Sequence, residues 1–279
     1  MPEAKKYTND SVIVISNECV AAEHYCMTLG EPRMAEEAKA GQFFQVRLKG
    51  EGAPFLPRPF SIYDWREDDS GRRVAFDILY KVVGKGTAAL SRLRAGDKVA
   101  VTGPLGNTFT LPERGKTALV AAGGIGIASF LTVLREWIGS GLPVKDFRLL
   151  YGARCRSLLV EERKFAALGA GVEVITDDGS CGVRGTVLDL VKRHVERGAA
   201  GEFVIYASGP MPMLEAVARY CQETGIRGEL TLEARMICGF GVCNSCAAAV
   251  KSAKAADGWD YKLVCRDGPV FSAESLWLE

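Results

Sequence analysis

The chain has 279 residues with 35 basic and 34 acidic side chains, a formal net charge of +1, and so lacks the electrostatic footprint of a nucleic-acid or acidic-membrane binder. Its 48% hydrophobic and 25% charged residues exclude disorder and suffice for two or three globular units. The N-terminal MPEAKKYTND lacks an apolar signal core, no stretch reaches the ~18 uncharged apolar residues of a membrane span, and an odd count of nine cysteines argues against a disulfide framework; a cytoplasmic protein is expected.

From about Ser11 to Gly106 the apolar runs are short and punctuated by Gly, Pro and charged turns: SVIVISNECVA, GQFFQVRL, RPFSIYDW, RRVAFDILYKVV and DKVAVTG. β-Branched and aromatic runs of this kind predict an antiparallel β-barrel, with one helix over Thr87–Arg94. Within it, Arg58-Pro59-Phe60-Ser61 is either an ordinary strand start or a flavin contact, the arginine neutralising a pyrophosphate and the serine bonding a ring nitrogen. Leu79-Tyr80-Lys81 and the turn Gly84-Lys85-Gly86-Thr87 add weight to the second reading, because a Gly-x-Gly-Thr turn opening a helix presents free N–H groups.

After Pro112 the texture changes. The runs TALVAAGG, FRLLYGA, VEVITDD and EFVIYASG alternate with helix-like SLLVEERKFAALG, VLDLVKRHVERG and MPMLEAVARYCQETG, and a further helix is expected over Ile127–Ile138. This alternation predicts an α/β unit with a parallel sheet covered on both faces. Gly123, Gly124 and Gly126, in AGGIGIAS, form a glycine-rich strand-to-helix turn that either cradles a dinucleotide or is a tight structural turn. Ser129 stands where the Rossmann fingerprint has its third glycine, and no acidic residue ends the next strand, which runs into Gly152-Ala153-Arg154, so a standard Rossmann dehydrogenase is disfavoured. Ser208-Gly209-Pro210 marks the same carboxyl edge. The pair Asp177-Asp178 either accepts bonds from ribose hydroxyls or solvates a turn, and His194 is expected on an exposed helix face.

From Gly228 the chain is expected to form neither pattern. Here Cys238, Cys243 and Cys246 form a C-x4-C-x2-C run, and Cys265 follows after eighteen intervening residues. That is the plant-type ferredoxin spacing of a [2Fe–2S] cluster; zinc more often shows two paired C-x2-C knuckles. Gly239 and Gly241 suit a loop that wraps a small inorganic core. Cys19, Cys26, Cys155, Cys181 and Cys221 read as small core hydrophobes. No Ser–His–Asp or metal–His catalytic set is visible.

In order, these motifs resemble the ferredoxin-NADP reductase superfamily with an appended cluster, and more narrowly the electron-transfer subunits of dihydroorotate dehydrogenase B, over nearly the whole chain to VCRDGPVF at 264–271. The resemblance implies an FAD-binding antiparallel β-barrel over 8–112, an NAD(H)-binding α/β domain over 113–227 and a small cysteine-rich [2Fe–2S] domain over 228–279. Arg58, Pro59, Phe60, Ser61, Leu79, Tyr80, Lys81, Gly86 and Thr87 would contact FAD, and Gly123, Gly124 and Gly126 would line the NAD(H) site. The partner it implies is an FMN-containing catalytic subunit, two copies of each forming a heterotetramer that passes electrons from dihydroorotate through FMN, the cluster and FAD to NAD+ in pyrimidine biosynthesis. Relatives usually carry Pro at Ser129 and Cys at Ser208, near the expected nicotinamide pocket. The alternative is a reductase subunit that serves another catalytic partner or a diffusible acceptor.

Overall fold

Period-two alternation starts the fold: Val12 and Val14 point inward while Ile13 and Ile15 face solvent, as in a strand with one wet face. In the computed structural model, which describes residues 6–50 and 53–278, that strand is β1 (Tyr7–Ala21). It joins β2 (His24–Gly30), β3 (Phe43–Arg47), β4 (Arg58–Ser61), β5 (Asp64–Glu67), β6 (Arg73–Lys81) and β7 (Lys98–Leu105) in one antiparallel sheet of order β4-β3-β7-β1-β2-β6-β5. The sheet curls as a half-barrel around Met27, Leu29, Phe44 and Phe76. The last two rings stack with centroids 4.0 Å apart. The helices α1 (Pro32–Glu37) and α2 (Lys85–Leu90) accompany it, α2 ending short of the expected Arg94. Strand β2 is absent from the predicted runs because the β1–β2 turn at Ala22-Glu23 has no Gly, Asn or Pro; Glu23 itself takes the left-handed φ of 61°.

The second sheet contains β8 (Thr117–Gly123), β9 (Phe147–Ala153), β10 (Gly171–Thr176), β11 (Val183–Arg184), β12 (Phe203–Ser208) and β13 (Gly228–Thr231), all parallel, in the order β11-β10-β9-β8-β12-β13. Along β8, Ala118, Val120 and Ala122 pack toward α3 (Leu131–Gly139) and α4 (Glu162–Ala167). Leu119 and Ala121 pack toward α5 (Val187–Val195) and α6 (Met211–Thr224). Burial on both faces explains why the β8 run lacks alternation. The expected helix over Ile127–Ile138 is divided: a 3-10 coil over Gly124–Ser129 precedes α3, the tighter winding common at helix starts.

The tail corrects the expectation that residues past Gly228 join neither pattern. Gly228–Thr231 is the strand β13, β14 (Ala247–Lys251) and β15 (Trp259–Leu263) form a hairpin, and β16 (Val270–Ser272) adds antiparallel to the β13 edge. Among the described residues no helix is long and apolar enough to cross a membrane.

Partly buried polar contacts join these parts. Arg135 of α3 grips Asp64 of β5 through both carboxylate oxygens, at 2.5 and 3.0 Å, and the Tyr63 hydroxyl donates to Glu161 at 2.8 Å. Asn107, just past β7, ties the tail: its Nδ2 donates to the carbonyls of Asp267 and Val270, and its Oδ1 accepts from the Val270 N–H.

Candidate functional site

The sheet sets where a site can form. Strand order leaves β8 toward β9 on one side and toward β12 on the other, so a crevice opens at the carboxyl ends of β8 and β12, where open α/β sheets bind ligands. A cleft of about 310 Å3 lies there, between the half-barrel and the second sheet. Arg58, Pro59, Phe60 and Ser61 of β4 line one wall, with Leu79, Tyr80 and Lys81 of β6 and Thr87 of α2; Gly126, Ser129 and Ser208 come from the other sheet.

Local sequence fixes these walls. Phe60 leans on the Tyr80 ring with centroids 5.6 Å apart, and the Tyr80 hydroxyl donates to Asn17 at 3.0 Å, so Tyr80 presents a rigid flank. Gly86 does not line the cleft but backs the Arg58 side chain: a Cβ there would overlap the guanidinium. Thr87 Oγ1 accepts from the N–H groups of Val83 and Gly84, shaping the turn that the sequence marked as a phosphate cradle.

Three serines meet at the junction of the sheets. The Ser61 and Ser129 hydroxyl oxygens lie 3.0 Å apart, and those of Ser129 and Ser208 3.1 Å apart; Ser129 and Ser208 are buried. Ser129 and Ser208 thus form one hydrogen-bonded chain with the β4 serine.

Of the three glycines of the turn, only Gly126 lines the cleft. Its missing side chain admits the Ser208 carbonyl, which a Cβ would strike. Gly123 packs against α6, a Cβ there falling 2.6 Å from Met213 Sδ, and Gly124 takes φ 53° beside open space. Asp178 accepts from the N–H and hydroxyl of Ser180, an Asx turn with the carboxyl held below the usual carboxylate range by the Ser180 hydroxyl first and then its N–H. His194 corrects its expectation: its Nε2 lies 2.6 Å from Glu173 on β10, and it is half-buried, because α5 lies across the sheet. Cys19 is exposed, Cys155 and Cys181 are half-buried, and only Cys26 and Cys221 are core thiols, pushed up to about 12 by burial.

Sequence reading missed the floor of the cleft. Thr231, Leu232, Glu233, Ala234 and Met236 line it as the chain leaves β13, a segment whose one signal was its position just before the first cysteine. The Thr231 hydroxyl is buried and unpartnered among the described residues, as a group awaiting a polar ligand would be. Glu233 is open to the cleft, yet the protein around it desolvates the carboxyl and raises its pKa.

Two residues past Met236 the cysteine loop begins. Gly239 and Gly241 both take φ 83° and Asn244 takes φ 55°, the left-handed backbone that the glycines were expected to allow. The four thiols lie close to one another, Cys238 beside Cys243 and Cys246 beside Cys265. Among the described residues no three acidic, histidine or cysteine side chains gather to hold a single ion. Four thiols in this spacing would supply the donor set of a [2Fe–2S] centre. Burial opposes ionisation of Cys238, but the N–H groups of Cys243, Phe240 and Val242 point at its sulfur and hold its pKa below the ordinary value. Gly241 N–H likewise points at Cys265. Inward N–H groups of this kind stabilise the negative charge of a thiolate-bound cluster. Cys243 is exposed, whereas Cys246 and Cys265 are buried.

Comparison with known proteins agrees with this arrangement. Residues 233–277 match the family described as the iron-sulfur cluster binding domain of dihydroorotate dehydrogenase B, and residues 11–109 match the oxidoreductase FAD-binding domain. The dihydroorotate dehydrogenase B (NAD(+)) electron transfer subunit of Caldanaerobacter subterraneus subsp. tengcongensis is 37% identical over 264 residues, 94% of this chain and 96% of that one. Its counterpart from Desulforamulus reducens is 36% identical over 265 residues, 95% and 97% of the two chains. Among solved structures, the NADH-dependent reduced ferredoxin-NADP oxidoreductase studied for flavin-based electron bifurcation superposes with a TM-score of 0.79 at 27% identity, over 96% of this chain and 90% of that chain. The ferredoxin reductase of carbazole 1,9a-dioxygenase shares the fold, with a TM-score of 0.68 at 21% identity over 81% of this chain and 68% of that one. Coverage end to end at this identity places the chain in the family of dihydroorotate dehydrogenase B (NAD(+)) electron-transfer subunits.

Proposed function

We infer that this chain carries electrons between NAD(H) and a dihydroorotate dehydrogenase catalytic subunit through FAD and a [2Fe–2S] cluster, in pyrimidine biosynthesis in the cytoplasm. The observation that carries the reading is the segment Thr231–Met236, which floors the cleft and passes within two residues into the cysteine loop, so a group in the cleft and a cluster on Cys238, Cys243, Cys246 and Cys265 sit side by side. When bound, the flavin supplies the step from an electron pair, as hydride brings it, to the single electrons that a cluster takes.

The residues of the chain bind and orient. Arg58, packed on Gly86, offers a fixed positive charge to a pyrophosphate; Pro59, Phe60, Leu79, Tyr80, Lys81 and Thr87 shape the FAD wall. Ser61 offers a hydroxyl to the flavin ring, and Ser129 sets its orientation while fixing Ser208 on the nicotinamide side. Gly126 admits the Ser208 backbone, and Gly123 and Gly124 make the turn for NAD(H). The units are 8–112, 113–227 and 228–279, the last lending its first strand to the sheet of the second. The partner is an FMN-containing subunit, two copies of each chain forming a heterotetramer.

The isolated chain is expected to oxidise NADH with an artificial acceptor and to leave dihydroorotate unchanged. Cys238→Ser should keep flavin reduction by NADH and lose electron transfer to the partner; loss of NADH-driven flavin reduction in a folded variant contradicts that order. The serines at 129 and 208 favour one second reading, a reductase subunit for another acceptor. Co-purification with a stoichiometric FMN-bearing chain that oxidises dihydroorotate excludes it.

A further inference from the structure

Three buried polar side-chain atoms lack a hydrogen-bond partner among the described residues: Gln45 Nε2, Asp77 Oδ2 and Thr231 Oγ1. Asp77 Oδ2 still lies 2.6 Å from the Arg66 guanidinium, and Thr231 faces the flavin cleft. Gln45 has neither account. It is 3% exposed and does not line the cleft.

Its strand explains where it points. On β3, Phe44 and Val46 enter the half-barrel core, so Phe43 and Gln45, alternate in the pleat, face out of it. Phe43 packs into the cluster of side chains that includes Cys246, Val264 and Cys265. Gln45 meets the cysteine loop itself: a Cβ on Gly239 would lie 2.7 Å from both Nε2 and Oε1 of its carboxamide. Gly239 is bare and left-handed, at φ 83°, and the amide therefore lies flat on the backbone next to Cys238. On the other side, Gln45 is paired in register with Pro59 of the Arg58–Ser61 strand.

We propose that Gln45 is an outer donor to the [2Fe–2S] cluster, its Nε2–H directed at the sulfur on the Cys238 side, which makes it a polar link between the strand beside the flavin wall and the cluster loop. The inference rests on the cluster reading above. A neutral N–H donor to cluster sulfur stabilises the extra negative charge of the reduced state and so raises the reduction potential. It also satisfies an amide that is otherwise buried without a partner.

The test is an EPR-monitored redox titration of the cluster- and FAD-loaded chain, wild type against Gln45→Leu and Gln45→Met. Both substitutions keep the bulk and remove the donor, and Met adapts to the site if Leu does not. The cluster should become about tenfold harder to reduce relative to the flavin, about 59 mV for one electron, with cluster content and flavin potential unchanged. A cluster potential equal to wild type in either loaded variant overturns the proposal. So does loss of the cluster from chains that retain FAD, which would make Gln45 a packing residue. Absence of a [2Fe–2S] signal in the wild-type chain would instead sink the cluster reading, so the two failures are distinguishable.

Discussion

Among the described residues the buried Thr231 hydroxyl has no partner, so it costs the flavin-free chain the desolvation of a polar group, which a ligand would offset. Thr231→Val should therefore stabilise the flavin-free chain by about 1 kcal/mol and weaken FAD binding about fivefold. Thermal melts and flavin titration read the two effects separately, and equal signs in both would remove the hydroxyl from the site. Glu233 makes a second case. Desolvation raises its carboxyl pKa, so at neutral pH the folded state holds a carboxylate that the unfolded chain solvates better. That penalty exists above the folded-state pKa and is gone once pH falls below the ordinary glutamate value of about 4.3. Glu233→Gln should raise the melting temperature of the flavin-free chain near neutral pH and leave it unchanged below about pH 4; a gain of the same size at both would show that the charge is irrelevant. Neither residue was legible as part of the site, because TLEARM has no period, glycine pattern or ligand spacing. The four cysteines were legible, since ligand spacing is local chemistry, and so was the Arg58–Ser61 strand. The serine chain was half legible: Ser61, Ser129 and Ser208 each stood out, but their contact depends on two sheets meeting.

Elements separate what periodicity can say from what it cannot. The apolar runs from Thr117, Phe147, Val172 and Glu202 became the parallel strands β8, β9, β10 and β12, and burial on both faces leaves β8 without alternation. Strand β13 and the edge strand β16 escaped because four- and three-residue strands carry almost no pattern, and their pairing is set by Asn107 and the Leu230–Phe271 register. The joint between the sheets was equally silent: Asp64 and Arg135 are 71 residues apart in sequence. Arg135→Met leaves the buried Asp64 carboxylate without its cation, and because Arg135 itself is 39% exposed the cost is on the order of 1–3 kcal/mol, below that of a fully buried pair. Denaturant unfolding of the FAD-loaded chain measures it. An unchanged midpoint would mean that the joint is held by apolar packing alone.

At the level of the molecule, the half-barrel and the parallel sheet enclose the cleft, and the tail returns beneath both. Asn107 fastens that tail just after Cys265, Phe43 packs beside it, and Ile237 alone separates Met236 of the cleft floor from Cys238. The proposed order NAD(H), FAD, cluster, partner accords with this placement: the crevice proposed for the nicotinamide opens at β8 and β12, and Cys243 is the exposed thiol of the cluster loop. Fold class and the set of cofactors were readable because each motif belongs to a different stretch of chain. Their proximity was not, because it arises from long-range packing. Anaerobic titration of the purified chain with NADH, followed by absorbance and EPR before and after FAD is stripped with the cluster intact, tests the order most directly. The flavin-loaded chain should show a reduced [2Fe–2S] signal after the flavin bleaches, and the stripped chain none until a chemical reductant is added; a cluster that NADH reduces without FAD would contradict the account.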